Sequence, residues 1–231
     1  MQDRRYQQGY NLAAAGAGTS PVVDSDTANT VLKNTYWLLG MTLAFSAFTA
    51  FLSSGMAFNP IVHFGALIGA LIISFVINKV ANSVWGLVLA FAFTGLLGLT
   101  IGPIVGNIIA AGQGQVVTTA LGLTAFAFFG LSGTALVTKK DFSFLSSFVT
   151  IGFFVILGAF ILNLFLQIPA VALAISVAII LMSSAAILWQ TSAIVRGGET
   201  NYILAAVSLY ASIYNIFMSL LHILLAFGGD D

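Results

Sequence analysis

The chain has 231 residues, of which 59% are hydrophobic and 6% are charged, a composition typical of integral membrane proteins and not of soluble domains. Seven basic residues balance seven acidic residues, and this formal net charge of zero gives no reason to expect a nucleic-acid partner. The absence of cysteine excludes disulfides, thiol catalysis and cysteine metal sites.

The first 30 residues contain mainly polar and small side chains and no apolar run. They lack both the apolar core of a signal peptide and the periodicity of a stable helix. We therefore predict a flexible tail over residues 1–30 and one membrane domain over residues 31–231.

Seven apolar stretches follow, and each is close to or above the length of about 20 residues that a helix needs to cross a bilayer. They are Val31–Ser53, Pro60–Ile77, Val84–Ile104, Val116–Val137, Phe144–Leu166, Ala170–Trp189 and Tyr202–Phe227. Proline at a first helical turn supports two of the starts, and the run from Arg196 to Glu199 separates the last two stretches. The sequence thus predicts an all-α integral membrane protein with seven transmembrane helices.

The basic residues predict the orientation of these helices. They fall before helix 1 or at its start, and in the connections after helices 2, 4 and 6: Arg4, Arg5, Lys33, Lys79, Lys139, Lys140 and Arg196. The connections after helices 1, 3 and 5 contain no basic residue. By the positive-inside rule, the N-terminus is predicted to be cytoplasmic and the C-terminus external.

Small residues predict one tight packing seam. Gly98, Gly102 and Gly106 recur at four-residue steps near the end of helix 3, a spacing that lets two helix backbones approach closely. Pro103, in the same segment, is predicted to weaken the helix locally and to kink it.

The last stretch carries polar residues that, after the first step, are spaced by three and four residues. This polar stripe consists of Asn201, Ser208, Ser212, Asn215, Ser219 and His222. Such positions share one face of a helix, and unpaired polar groups are unfavourable in hydrocarbon. We therefore predict that this face contacts protein and that the helix is central. For any single Ser or Asn, an ordinary interhelical hydrogen bond is the simpler explanation.

Three chemistries are weakly supported. Residues 130–133 have the GxSG form of intramembrane serine proteases, but Ser132 is predicted near the cytoplasmic side of the membrane and His222 near the external side, whereas a nucleophile and its base need about 3 Å. No Asp, Glu, Lys or Arg lies between Val80 and Thr138 or between Phe142 and Val195, so ion or proton movement lacks its usual carboxylates. His63 and His222 alone make a weak metal site. We predict no catalytic residue, metal or cofactor.

Several short segments carry a specific resemblance. They are residues 187–192, 197–202, 206–210 and 214–217, with further stretches at 34–36, 43–47, 92–95, 102–104 and 140–145. Together they resemble the Bax inhibitor-1 (TMBIM) family and, more closely, its bacterial YccA branch. The resemblance covers the chain from about Val31 and leaves the tail uncovered.

The resemblance implies a seven-helix fold whose last helix is enclosed by the other six, in a bacterial inner membrane. It implies a non-enzymatic protein that binds and modulates the membrane-bound ATP-dependent protease FtsH. The protein would itself be a substrate, engaged through the cytoplasmic tail. The predicted contact lies at the start of that tail: Met1, Gln2, Asp3, Arg4 and Arg5.

The same family also implies an alternative, a pH-sensitive calcium or cation leak channel with an acidic pair on its last two helices. The chain departs from that pattern, because Gln190 and Ser212 stand at the two positions. An amide and a hydroxyl can form a hydrogen bond, but neither titrates near neutral pH or neutralises a divalent cation. The leak-channel alternative is weakened accordingly.

Overall fold

The computed structural model describes residues 25–228, and all regular secondary structure in that range is helical. The seven helices are α1 Ser25–Ser53, α2 Pro60–Val80, α3 Val84–Ala110, α4 Gly114–Thr138, α5 Leu145–Leu166, α6 Pro169–Val195 and α7 Tyr202–Phe227. All seven are long and apolar enough to cross a membrane. The predicted seven-helix membrane architecture is confirmed.

Helix α1 begins at Ser25, six residues before the predicted start at Val31. The carboxylate of Asp26 lies in the first turn, where its negative charge interacts favourably with the positive end of the helix dipole. The Thr30 hydroxyl donates a hydrogen bond to the Asp26 carbonyl oxygen at 2.8 Å. The predicted boundary at residue 30 therefore falls inside a helix, because the start of an apolar run marks where hydrocarbon begins and not where the helix begins.

Helices α3 and α6 each extend six residues beyond their predicted ends at Ile104 and Trp189. Helix α3 continues through Pro103, and Gly106 beyond it still packs against the backbone of α1. Helix α6 ends where Gly197 adopts φ +73° and the Gly198 N–H donates to the Ala193 carbonyl oxygen at 2.8 Å. In α6 the predicted end falls just before the polar residues 190–192, and in α3 it falls just after Pro103, although residues 105–110 are mostly apolar.

The connections after α2, α4 and α6 meet at one end of the bundle, which we call the basic end (residues 81–83, 139–144 and 196–201). The Asn201 side-chain amide donates to Asn82 Oδ1 at 2.7 Å, and Arg196 Nη2 lies 3.0 Å from Asp141 Oδ2. Lys139, Lys140 and Arg196 belong to this end, and Lys79 lies in the last turn of α2 beside it. The charge asymmetry read from the sequence is thus a property of the fold, while the side of the membrane stays a prediction.

The glycine seam predicted from sequence joins α3 to α1. A Cβ atom on Gly98 or Gly102 would overlap the carbonyl oxygen of Ser46 or Ala50 in α1, and one on Gly106 would overlap that of Ser54, the residue just after α1. Glycine at these three positions is what allows the two backbones to lie this close.

Helix α7 is the most buried of the seven, with 61% of its most apolar window buried against 44% or less in the others. Its main packing partners are α1, α3, α4 and α6. Helix α2 packs on α3, and α5 packs on α6, outside this group. Enclosure of the last helix by all six others is therefore not seen, because two helices form an outer layer on its neighbours.

Two tyrosines fasten α7 to its neighbours. The Tyr210 hydroxyl lies 2.5 Å from the Ser46 hydroxyl of α1 and donates to the Thr94 carbonyl oxygen of α3 at 3.3 Å. The Tyr214 hydroxyl lies 3.0 Å from the Thr100 hydroxyl of α3. Neither tyrosine belongs to the polar stripe predicted from the sequence, so this network was not foreseen.

We expect Gly102→Ala to lower the free energy of unfolding by roughly 1–3 kcal/mol, because the added methyl group has no room beside Ala50 of α1. Gly122→Ala is the matched control, since a methyl group there meets nothing within 4 Å and alanine favours helix by about 1 kcal/mol. Chemical unfolding in mixed micelles measures both variants. Equal stability of the two variants would contradict the close seam.

We expect Tyr210→Phe to lower the free energy of unfolding by roughly 1–3 kcal/mol, because it leaves the buried Ser46 hydroxyl without its tyrosine partner. In Tyr214→Phe, Thr100 keeps its bond to the Leu97 carbonyl oxygen at 2.7 Å, so the loss should be smaller. The same unfolding experiment compares them. A larger loss for Tyr214→Phe would show that the network is not centred on Tyr210.

Candidate functional site

The basic end is held together by the last turn of α6. The Ser192 hydroxyl donates to the Lys140 carbonyl oxygen at 2.8 Å and accepts the Phe142 N–H at 3.3 Å. One buried serine therefore fixes the connection between α4 and α5 against α6. In the sequence, the only signal at Ser192 is its place in the segment 187–192.

An ion pair closes the same junction. The Ser143 backbone N–H, 2.9 Å from Asp141 Oδ1, the Ser143 hydroxyl and the Arg196 guanidinium together hold the pKa of Asp141 below its ordinary value of 3.8. Since the folded-state pKa is depressed, any stabilisation from this pair is present at neutral pH and is lost only as the pH falls below that ordinary value. The pair is half exposed, so it contributes little to stability and does not switch near neutral pH.

The remaining charges of the basic end face outward. Lys79, Lys139 and Lys140 are exposed. With the ion pair neutral overall, they leave the surface positively charged, apart from Glu199, which accepts the Asn201 backbone N–H at 2.7 Å. This end is the candidate contact surface for a partner at the membrane face.

The polar stripe of α7 does not share one environment. Ser212 and Ser219 are buried, Asn201 and Asn215 are partly buried, and Ser208 and His222 are exposed. With 3.6 residues per turn, the stripe runs along the edge of the buried face. Fully buried apolar residues lie directly beside the stripe: Ala205, Leu209 and Ile216.

Local hydrogen bonds explain how these polar side chains are accommodated. Asn201 caps α7, accepting the N–H groups of Ile203 and Leu204 at 2.9 and 3.1 Å. The Ser212 hydroxyl donates to the Ser208 carbonyl oxygen at 3.0 Å, and His222 Nδ1 lies 2.8 Å from the Ser176 hydroxyl of α6. The 3-and-4 spacing alone did not distinguish these uses from a central polar face.

Gln190 and Ser212, the predicted positions of the family's acidic pair, lie on the adjoining helices α6 and α7. Gln190 and Ser212 are both buried, 7% exposed each. The Ser212 hydroxyl donates its hydrogen bond to the Ser208 carbonyl oxygen of its own helix and not to Gln190. Neither side chain titrates, so this pair cannot act as a proton-controlled gate.

The structure keeps apart the residues considered for proteolysis and metal binding. The Ser132 hydroxyl lies 3.4 Å from that of Thr191 near the basic end, while His222 is bonded to Ser176 near the start of α6. His63 lies between the rings of Phe58 and Phe64. Within residues 25–228 there is no group of three or more His, Cys, Asp or Glu side chains placed to hold a metal. The predicted contact residues Met1, Gln2, Asp3, Arg4 and Arg5 lie outside the described residues.

Comparison with known proteins assigns this chain to a family. Residues 28–229 match the family model described as "Inhibitor of apoptosis-promoting Bax1". A protein of Pseudomonas aeruginosa is 48% identical over the full length of both chains. The "Modulator of FtsH protease YccA" of Escherichia coli is 50% identical over 84% of this chain and 89% of its own.

An uncharacterized membrane protein of Vibrio cholerae is 43% identical over 92% of this chain and 96% of its own. The family match covers all seven helices except the first turn of α1. A match of that extent, with relatives near half identity over nearly whole chains, shows that the chain is a multi-pass membrane protein of the Bax inhibitor-1 family.

Proposed function

We propose that this protein is a non-enzymatic inner-membrane protein that binds and modulates the FtsH protease and is itself a substrate, engaged through its N-terminal tail. The observation that carries the proposal is the 50% identity to the Escherichia coli protein named as a modulator of that protease. A second Escherichia coli relative, equally similar, is named an inner membrane protein.

The basic end supports the tail as the point of engagement. An ATP-driven protease needs an unfolded segment to grip, and the connections at the basic end are short and fixed by Ser192, by the Asp141–Arg196 pair and by the Asn82–Asn201 hydrogen bond. The sequence before α1 is polar and at least 24 residues long, and fully extended it would reach roughly 80 Å. In the orientation predicted from charge, tail and basic end lie together on the cytoplasmic side.

Co-purification is the first experiment. The full chain, tagged at its C-terminus, is extracted in mild detergent from cells that contain a proteolytically inactive form of the protease. We expect the protease to be recovered with the full chain. Its absence would overturn binding, and its recovery with no change in the turnover of other substrates would overturn modulation.

Deleting residues 2–20 should leave the seven helices inserted and make the protein several-fold longer-lived in cells that contain the protease. The deletion ends before α1 begins at Ser25, so the fold is untouched while the segment that the protease grips is lost. Pulse-chase measurement of the half-life tests this.

Replacing residues 2–20 by a Gly/Ser segment of equal length is the matched control for the tail deletion, because it separates tail length from tail sequence. Degradation of the deleted form at the full-length rate would reject the tail as the point of engagement. Rapid degradation of the Gly/Ser form would show that length and disorder suffice.

The leak-channel alternative makes an opposite prediction about pH. Because Gln190 and Ser212 do not titrate, any calcium leak through the protein in liposomes should be small and nearly flat between about pH 5 and pH 8. Gln190→Glu, with Ser212→Asp as a second change, restores two carboxylates and should add a pH-dependent component. A steep pH-dependent flux in the unmodified protein, abolished by Gln190→Ala, would contradict the proposal.

A further inference from the structure

A groove opens between α1 and α4 in the half of the bundle away from the basic end. It has a volume of about 520 Å³ and is lined by residues 43–51 of α1 with the following Ser54, and by segments 101–109 of α3, 117–129 of α4 and 210–217 of α7. Helices α1 and α4 both pack on α7. They meet where the rings of Tyr36 and Phe128 lie 6.0 Å apart, and beyond that contact the groove separates them.

The lining selects an apolar occupant. None of the residues that line the groove carries a charge, and most are aliphatic or aromatic. Five hydroxyl-bearing residues line it, and each hydroxyl already has a hydrogen-bond partner within the protein: Ser46, Ser54, Thr124, Tyr210 and Tyr214. A polar ligand would therefore lose its bonds to water without gaining new ones here.

The groove is continuous with the surface that the bundle presents to the membrane. Phe51 on α1 and Leu121 and Phe129 on α4 line it and are exposed, with 76%, 53% and 70% of their surface accessible. These side chains lie in membrane-spanning helices, so the mouth of the groove faces hydrocarbon and not water. An occupant can enter sideways from the bilayer.

The length of the groove distinguishes a lipid chain from a partner helix. Residues 43–53 of α1 and 117–129 of α4 extend roughly 15 and 18 Å along their helix axes. That is close to half of the hydrocarbon thickness of about 30 Å, the depth of a single leaflet. A transmembrane helix of a partner or of a second copy would extend through both leaflets, whereas the residues that line the groove span only one.

We propose that this groove binds one acyl chain of a phospholipid from the leaflet away from the basic end. The connections nearest its mouth, residues 54–59 and 111–113, contain no charged side chain. The groove therefore recognises the chain of the lipid and not the charge of its headgroup. This inference is independent of the proposed function, since it needs neither the tail nor the protease.

The test is retention of lipid by the intact protein, measured by native mass spectrometry after extraction from bilayers into mild detergent. The protein should retain one phospholipid, and to a similar extent from zwitterionic and from anionic bilayers. Ala47→Trp and Ala125→Trp, on the two walls, fill the groove. If the tryptophan ring keeps even two methylene groups of the acyl chain out of the groove, retention should fall by about tenfold or more.

Ala174→Trp, an exposed position on α6 outside the groove, is the matched control and should retain lipid as the unmodified protein does. Thermal unfolding identifies any variant that fails to fold. If one groove variant fails, lipid retention by the variant on the other wall tests the proposal. Retention by both groove variants equal to the control would overturn the proposal. So would retention only from anionic bilayers, or co-purification of a partner helix in place of lipid.

Discussion

Ser46 connects three helices at one point, and much of the bundle depends on this contact. Its carbonyl oxygen lies against Gly98 of α3, and its hydroxyl bonds to Tyr210 of α7. Tyr210 in turn donates to the Thr94 carbonyl oxygen of α3. Because hydrocarbon offers no hydrogen bonds, a hydroxyl at this depth is stabilised by a partner within the protein. The glycine seam brings α1 and α3 close enough for one tyrosine to bond to both.

Different interactions shape the two ends of the bundle. At the basic end, polar connections are joined by side-chain hydrogen bonds and one exposed ion pair, as at Ser192 and Asp141. Away from it, α1 and α4 separate around an apolar groove whose hydroxyls are all internally bonded. The first surface suits a partner at the membrane face, and the second suits lipid. The two proposals therefore use opposite halves of the protein and do not compete.

Family membership alone does not decide function, because the same family suggested both a protease modulator and a leak channel. The residues at two positions separate these possibilities. Gln190 and Ser212 are buried on adjoining helices, but they present an amide and a hydroxyl where titration would require carboxylates. The seven-helix scaffold is compatible with either role, while the chemistry of these two side chains argues against a pH-gated leak.

The amino-acid sequence by itself determined the number of helices, their membrane-spanning character, the glycine seam and the asymmetry of charge. These properties depend on hydrophobic length, residue size and loop charge, which are local and additive along the chain. It also contained the segments that resemble the Bax inhibitor-1 family, and the family model matches residues 28–229. It misplaced the ends of α1, α3 and α6, because polar helical turns outside the hydrocarbon, and a proline held in place by packing, look like helix ends in a hydropathy pattern.

Only the tertiary structure decided which face of α7 is buried, and which four helices surround it. The polar stripe has helical spacing wherever it points, so its position at the edge of the buried face depended on how Ala205, Leu209 and Ile216 pack. The hydrogen bonds of Ser192 and the α1–α4 groove could not be predicted from the sequence either. Each arises from residues far apart in the chain, and their distances are set by how helices pack and not by the spacing of residues along any one helix.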